Sequence, residues 1–402
     1  MSPHSTTLAE LTAGQRNIII LALALGGFSI GVSEFASMGL LLEISRGLQI
    51  TESQVGHLIS TYAVGVVIGA PMLAFVGARL KRRTLLLALA LFYAVANVAS
   101  ALAPGYHTMM LARFLAGLPH GAYFGVAMLV AASISPAGQR GVAVSKVLMG
   151  LSVSILVGNP IATWLGQQLS WRVAFALVGV LSVATVLMIS RTLPHDPHEK
   201  IVSPLQELVA FNRTQVWLAL AIGSIGFAGM FCVFTYLGPI LVKVTKVSEA
   251  WMPLAVAAFG VGAVAGNVAG GRLVDRLQFK ATGIVLLWSI LVLALFPLAA
   301  QSLGGLLFGV IGLGTMGALA VALQTRLMDV AGEAQTLAAA SNHAAFNTAN
   351  ALGPWLGGLA IDAGYGLTST SQIGVVAAVM GLGLWAMAVM LERRKQVAGV
   401  HP

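Results

Sequence analysis

Gly26-Gly27-Phe28-Ser29-Ile30-Gly31-Val32-Ser33-Glu34-Phe35-Ala36-Ser37-Met38-Gly39 lies inside an apolar run that extends from Ile18 to Leu42. At about 1.5 Å rise per residue such a run is long enough to cross a bilayer as a helix. Glu34 sits well inside it. A carboxylate at that depth costs about 2.5–3.5 kcal/mol on insertion scales, so it needs a partner, a proton or water. Of thirteen Asp and Glu residues it is the one that falls clearly within a span. The rest of the chain reads as a pathway built around it.

Working outward, apolar runs fall at 17–42, 54–77, 84–103, 108–133, 141–168 and 172–193, and again at 214–242, 252–272, 281–300, 304–327, 335–361 and 370–391. The expected fold is therefore an all-α membrane protein of twelve transmembrane helices. A chain that is 58% hydrophobic and 9% charged, with a mean hydropathy of +0.90, lies far from soluble composition. The polar stretch 194–213 divides a six-helix bundle at 1–193 from a second at 214–402, and reads as a cytoplasmic linker. The first fifteen residues lack Lys and Arg and the first run is too long for a signal-peptide core, so no cleaved leader is expected.

A net charge of +9 is compatible with a nucleic-acid partner, but its placement gives another cause. With both termini cytoplasmic, seventeen Lys and Arg face inside, four face outside, and Arg113 remains within a span. That asymmetry is a topology signal. No nucleic-acid partner is expected. Cys232, the single cysteine, rules out an intramolecular disulfide.

The halves repeat. Gly65, Gly69, Arg79, Arg83 and Gly117 match Gly262, Gly266, Arg276, Lys280 and Gly314 at one offset of 197 residues. Parallel repeats of six helices are a transporter arrangement, with substrate held between the halves near the midplane.

Among candidate functional residues, Glu34 and Arg113 come first. Counted along helices 1 and 4 they fall at similar depth, about 25 Å from the start of the one and about 8 Å from the start of the other. Their pairing reads either as proton coupling, with the arginine tuning the acid, or as a static ion pair locking two helices. His120 shares the Arg113 face with Gly117 and Phe124 and is either a proton relay or a buried neutral histidine. His343, Asn347 and Asn350 form a polar face, and Phe227, Phe231 and Phe234 an aromatic one. With Tyr62 and Tyr123 these line a substrate path or serve packing. No metal site and no cofactor are expected. H-E-x-x-H, P-loop and G-x-S-x-G patterns are absent, which argues against an enzyme.

The chain resembles the major facilitator superfamily, and within it the drug:proton antiporter branch, near the AraJ-like and YdhP-like efflux permeases and the chloramphenicol-efflux proteins. The resemblance rests on Ser33-Glu34-Phe35 with Met38-Gly39-Leu40-Leu41, on Tyr62-Ala63-Val64-Gly65 with Gly69-Ala70-Pro71, on Pro119-His120-Gly121-Ala122-Tyr123-Phe124-Gly125, and on Trp171-Arg172 with Phe175. The superfamily's loop pattern G-x-L-x-D-R-x-G-R-R is degenerate: Arg79, Arg82 and Arg83 match, while Ala74, Ala78 and Lys81 depart from it. Its repeat copy keeps Gly271, Leu273, Asp275 and Arg276.

The resemblance implies that these loops gate the cytoplasmic side, and that Arg113 belongs to the proton-coupling motif of helix 4. Gly150, Gly158 and Pro160, with Asn159 intruding, resemble the helix 5 antiport motif. It further implies proton-coupled efflux of a sugar such as arabinose, or of an amphipathic drug such as chloramphenicol, by a monomer in the bacterial inner membrane. Import, or uncoupled facilitation of a polar metabolite, is the alternative reading. A membrane enzyme or sensor is a more distant one.

Overall fold

A computed structural model describes residues 11–77, 80–136, 139–194, 213–331 and 335–397. The chain runs as α1 (Ala13–Gly39), α2 (Leu41–Leu48), α3 (Glu52–Gly77), α4 (Arg82–Leu102), α5 (Tyr106–Ser133) and α6 (Arg140–Val153). A π turn at Ser154–Gly158 leads to α7 (Asn159–Gln168) and α8 (Trp171–Thr192). There follow α9 (Thr214–Gly226), α10 (Ala228–Thr235), the three-residue turn α11 (Leu237–Pro239) and a second π turn at Ile240–Val244. After these come α12 (Met252–Leu277), α13 (Lys280–Ala299), α14 (Leu303–Thr315), α15 (Ala318–Ala331), α16 (Gln335–Asp362) and α17 (Ser369–Val397).

Eleven stretches among the described residues are long and apolar enough to cross a membrane. The twelfth expected run is α16, less apolar because Asn342, His343, Asn347 and Asn350 lie in it. Of the expected linker at 194–213, residues 195–212 lie outside the described residues, as does Arg79.

Local chemistry sets several ends. Thr12 opens α1 with a reciprocal box: its backbone N–H donates to Gln15 Oε1 at 2.9 Å, and its hydroxyl accepts from the Gln15 N–H at 3.3 Å. Arg83 donates to the carbonyls of Leu193 and Ser190 at 2.7 and 2.8 Å, placing a cation on the unpaired C-terminal carbonyls of α8. Arg326 grips both carboxylate oxygens of Glu392 at 3.3 and 2.9 Å and lies 4.2 Å over the Phe279 ring.

Four of the expected continuous helices are interrupted. Helix 5 carries a π turn ahead of Pro160, which lacks the N–H an α-ladder needs. Helix 7 breaks at Phe227 and Tyr236, and helix 10 at Met316–Gly317. Helix 1 ends at Gly39, and the remainder of its run becomes the short helix α2, closed by Gln49 in the left-handed region at φ 54°.

The described chain groups into two compact units. The first comprises Met1–Ile50 and Thr61–Pro204, the second Thr51–Ser60 and Leu205–Pro402. Within the first unit α4 packs on α8 and α5, and α1 on α6 and α8. Within the second α12 packs on α14, α13 on α17, and α10 on α16. The start of α3 belongs to the second unit, where Ser53 donates to Asp362 and Ser60 to the Ala351 carbonyl, each at 2.7 Å, and Glu52 pairs with Lys243.

The repeat seen in sequence is a repeat in packing. A methyl group added at Gly65, Gly69 or Gly117 would strike the carbonyl oxygens of Phe114, Leu118 and Tyr62 respectively. At Gly262, Gly266 and Gly314 it would strike those of Ile311, Thr315 and Phe259. Glycines and struck residues alike are displaced by 197 positions. Two helix crossings, α3 on α5 and α12 on α14, thus use the same backbone contacts, and the small residues permit the approach.

Gly65→Ala and Gly262→Ala are each expected to destabilise their unit by about 1–3 kcal/mol, the usual range for overpacking. Gly271, which has open space at the same point, should accept Ala with a change within about 0.5 kcal/mol. Thermal unfolding of the purified protein in detergent reads both outcomes.

Candidate functional site

The site begins with Arg113. It is fully buried on α5, and its guanidinium meets α1: Nη1 donates to Ser33 Oγ at 2.9 Å and Nη2 to the Ser33 carbonyl at 3.0 Å. Ser33 uses its own hydrogen on Asn97 Oδ1 at 2.6 Å, and Asn97 Nδ2 donates to the Tyr93 carbonyl one turn back on α4 at 2.9 Å. One hydroxyl accepting from the guanidinium while donating to the amide satisfies both neighbours. The guanidinium also lies 4.2 Å over the Tyr62 ring and 5.2 Å from the Phe175 ring, so aromatic faces of α3 and α8 complete its cage.

Glu34 follows Ser33 and is itself buried, with 7% of its surface exposed. Its charge acts on Arg113, Tyr62 and Tyr93. The structure therefore brings the two expected charges into one cluster. The two Nη groups of the guanidinium donate to the neighbouring serine.

His120, two turns along α5 from Arg113, joins the same cluster from its other side. Its Nδ1 lies 3.0 Å from the Tyr62 hydroxyl, which is 3.1 Å from the Tyr93 hydroxyl. Tyr93 reaches the Ile30 carbonyl at 3.4 Å. Tyr62, expected along a substrate path, is 1% exposed and occupies the centre of this chain. Tyr123 and Phe124 are buried as well. Tyr123 donates to the Leu23 carbonyl at 3.0 Å in the space that Gly26 leaves, and Phe124 lies 5.5 Å from the His120 ring. A small cavity lined by Ile30, Tyr93, Pro119, Tyr123 and Ser182 adjoins the cluster.

The antiport-motif residues form a seam against α1. Methyl groups at Gly150 and Gly158 would strike Ala24 and Phe28, and one at Gly31 would strike the Ser154 hydroxyl. Across the π turn ahead of Pro160, Asn159 Nδ2 donates to the Gly31 carbonyl at 3.4 Å.

In the second unit Phe227 packs edge-on against Phe231 at 5.6 Å and against Phe346 at 4.7 Å. Phe234 separates from them and stacks on Phe259 at 4.0 Å, because the helix breaks on either side re-aim it. Asn347 Nδ2 donates to the His343 carbonyl at 3.0 Å, and Asn350 is fully buried beside them on α16. Of the expected gating residues, Arg82 and Arg83 lie at the start of α4, with Arg83 capping α8, while Asp275 and Arg276 are exposed on α12.

Ser33, Tyr93 and Asn97 were not among the expected coupling residues. Asn97 had a readable signal, an amide inside an apolar run. The 197-residue offset adds a contrast. The counterparts of Ser33, Glu34, Tyr62, Tyr93, Asn97, Arg113 and His120 are Met230, Phe231, Phe259, Ile290, Ala294, Val310 and Gly317. The polar cluster of the first unit maps onto apolar positions in the second.

Membrane-spanning helices in two repeated units are the architecture of a membrane transporter. The chain belongs to the Major Facilitator Superfamily, whose sequence profile matches residues 23–342. It is 37% identical over 381 residues to the inner membrane transport protein YdhP of Escherichia coli K12, covering 94% of this chain and 97% of that one. It is 31% identical over 346 residues to a chloramphenicol resistance protein of Streptomyces lividans, covering 83% and 86%. Among solved structures, a bacterial homologue of the human lysosomal transporter Spinster, inward-facing and unoccupied, aligns with a TM-score of 0.70 at 16% identity, over 94% of this chain and 98% of that one. That likeness establishes the fold.

Ser33→Ala should destabilise the protein by about 1–3 kcal/mol, because it strips a partner from both Arg113 and Asn97. Ser37→Ala, one turn further on, should be neutral or stabilising, since the buried Ser37 hydroxyl has no hydrogen-bond partner among the described residues. Melting curves of the two variants side by side test the difference.

Proposed function

We propose that the chain is a proton-driven exporter of amphipathic small molecules, acting as a monomer in the bacterial inner membrane with both termini cytoplasmic. The observation that carries this reading is the buried Glu34–Arg113 cluster, set in one unit while the repeat-related positions of the other are apolar. A charge kept at such depth in a membrane protein marks an ion pathway by default. Glu34 takes a proton from outside, which favours substrate release there. It loses the proton inside, and substrate rebinds. Arg113 stabilises the ionised acid, and a movement that changes their separation turns the proton on and off.

In this reading the two six-helix bundles, 1–193 and 214–402, divide the labour. The first handles the proton. The second offers Phe227, Phe231 and Phe346 with the amides of Asn347 and Asn350, a surface suited to a partly apolar substrate. The name of the Streptomyces relative, a chloramphenicol resistance protein, supports chloramphenicol as the first probe, with arabinose as its polar counterpart. For a neutral substrate the cycle carries charge inward, so the membrane potential also drives it.

In everted vesicles with an acid lumen, the protein should accumulate chloramphenicol by about tenfold per pH unit for a one-proton exchange, since a unit of pH is worth about 1.4 kcal/mol. Glu34→Gln should abolish that accumulation while the protein remains folded. Undiminished gradient-driven uptake by Glu34→Gln would reject the assignment.

A further inference from the structure

The mechanism above leaves His120 and the two tyrosines beside it unused. They form one chain: His120 Nδ1, the Tyr62 hydroxyl 3.0 Å away, the Tyr93 hydroxyl 3.1 Å further on, and the Ile30 carbonyl at 3.4 Å. Ile30 stands one turn before Ser33 and Glu34 on α1. Ser33 in turn holds Arg113. At the near end, the Tyr62 ring supports the Arg113 guanidinium at 4.2 Å. Tyr62 thus touches both the imidazole and the arginine, and it is 1% exposed.

We propose that Tyr62 is the positioning residue that links protonation of His120 to the Glu34–Arg113 pair. The proposal rests on the coupling role given to Glu34 above. When His120 is neutral with Nδ1 as acceptor, Tyr62 donates to it and accepts from Tyr93. A second proton on the ring makes Nδ1–H a donor. The Tyr62 hydrogen must then turn to Tyr93, and the Tyr93 hydrogen to the Ile30 carbonyl. No covalent bond breaks: the arriving proton stays on the imidazole and two hydroxyl hydrogens turn. The imidazolium also adds a second positive charge to the cluster that holds Arg113, where the low local dielectric leaves it poorly screened.

His120 meets Tyr62 from α3 directly, and through it the other titratable and charged groups of the cluster: Tyr93 from α4, Glu34 from α1, and Arg113 from α5 itself. From α8 come Phe175 and Ser182, which do not titrate in this range.

The test needs no substrate. The full chain, labelled with ¹⁵N-histidine and held in nanodiscs, is titrated by NMR between pH 5 and 9, and the His120 signal is assigned by its loss in His120→Asn. Glu34→Gln should move the His120 midpoint by about 0.5 pH unit or more, roughly a threefold change in proton affinity. In the Tyr62→Phe background, which keeps the ring under Arg113, the same substitution should move it by less than about 0.2 unit. Tyr93→Phe breaks the chain one link further on and should behave alike, which covers the case in which Tyr62→Phe fails to fold. An equal shift with and without the hydroxyls would mean that charge acts directly through space, and would overturn the proposal. So would a His120 that does not titrate at all. Neither result bears on whether Glu34→Gln loses accumulation in vesicles, so the efflux reading stands or falls separately.

Discussion

A guanidinium at membrane depth is the constraint around which the first unit is arranged. Arg113 cannot be deprotonated at any working pH, so its charge must be met in place. Leaving such a charge unmet costs more than any single packing contact can return, and every neighbour answers to it. Ser33 offers a hydroxyl and a carbonyl, Asn97 takes the serine's hydrogen, Tyr62 and Phe175 offer ring faces, and Glu34 offers the compensating charge. Four other helices contribute to one side chain of α5. The cluster therefore ties α1, α3, α4, α5 and α8 together by chemistry that lipid cannot imitate. Van der Waals packing alone gives membrane helices little reason to choose one neighbour over another.

The glycine crossings supply the complementary half of that specificity. Gly65, Gly69 and Gly117 bring α3 and α5 to backbone contact, and so fix Tyr62 relative to Arg113 and His120, which flank Gly117 on the same helix. The second unit keeps the crossing and discards the charge: Phe259 takes the place of Tyr62 and stacks on Phe234, and Val310 takes the place of Arg113. Retained backbone contact with exchanged side chains is what a duplicated scaffold permits. The crossing serves stability in both units, while the side chains it positions are free to diverge.

Much of this could be read from the residues. The apolar runs are long, and hydrocarbon admits few alternatives to helix, so the helices and their approximate ends were legible. The repeat was legible because glycine at a close crossing cannot be replaced without moving backbone. The depth of Glu34 and Arg113 followed from helical rise alone. The breaks at Phe227, Tyr236 and Met316 were not legible, since Gly and Pro are tolerated in membrane helices and announce nothing by themselves. For that reason the shared face expected for Phe227, Phe231 and Phe234 divides in space. The partners of Tyr62 were not legible for a related cause: a tyrosine in a span is equally at home on a path or in a network, and its hydroxyl's partners are distant in sequence. Arg83 shows the same limit. Its charge signalled orientation, but its use as a cap on α8 depends on where Ser190 and Leu193 end.

The two units also differ at the ends that carry these arginines. In the first, Arg83 binds the last carbonyls of α8 directly. In the second, the residue at the matching offset is Lys280, and the neighbouring Phe279 carbonyl is taken instead by Trp385 Nε1 at 3.0 Å, with Arg326 held between Phe279, Gln215 and Glu392. A guanidinium fork can satisfy two carbonyls at a fixed angle; an ammonium is a point charge that prefers water. In the second unit an indole and a separate arginine–carboxylate pair tie α13, α15, α9 and α17 together instead. The helix ends of the two copies are thus tied by different residues: a guanidinium on the last carbonyls of α8 in the first, an indole on the carbonyl just ahead of α13 in the second. Sequence symmetry at these ends is weaker than structural symmetry because a cap is defined by the carbonyls it satisfies, and more than one side chain can satisfy them.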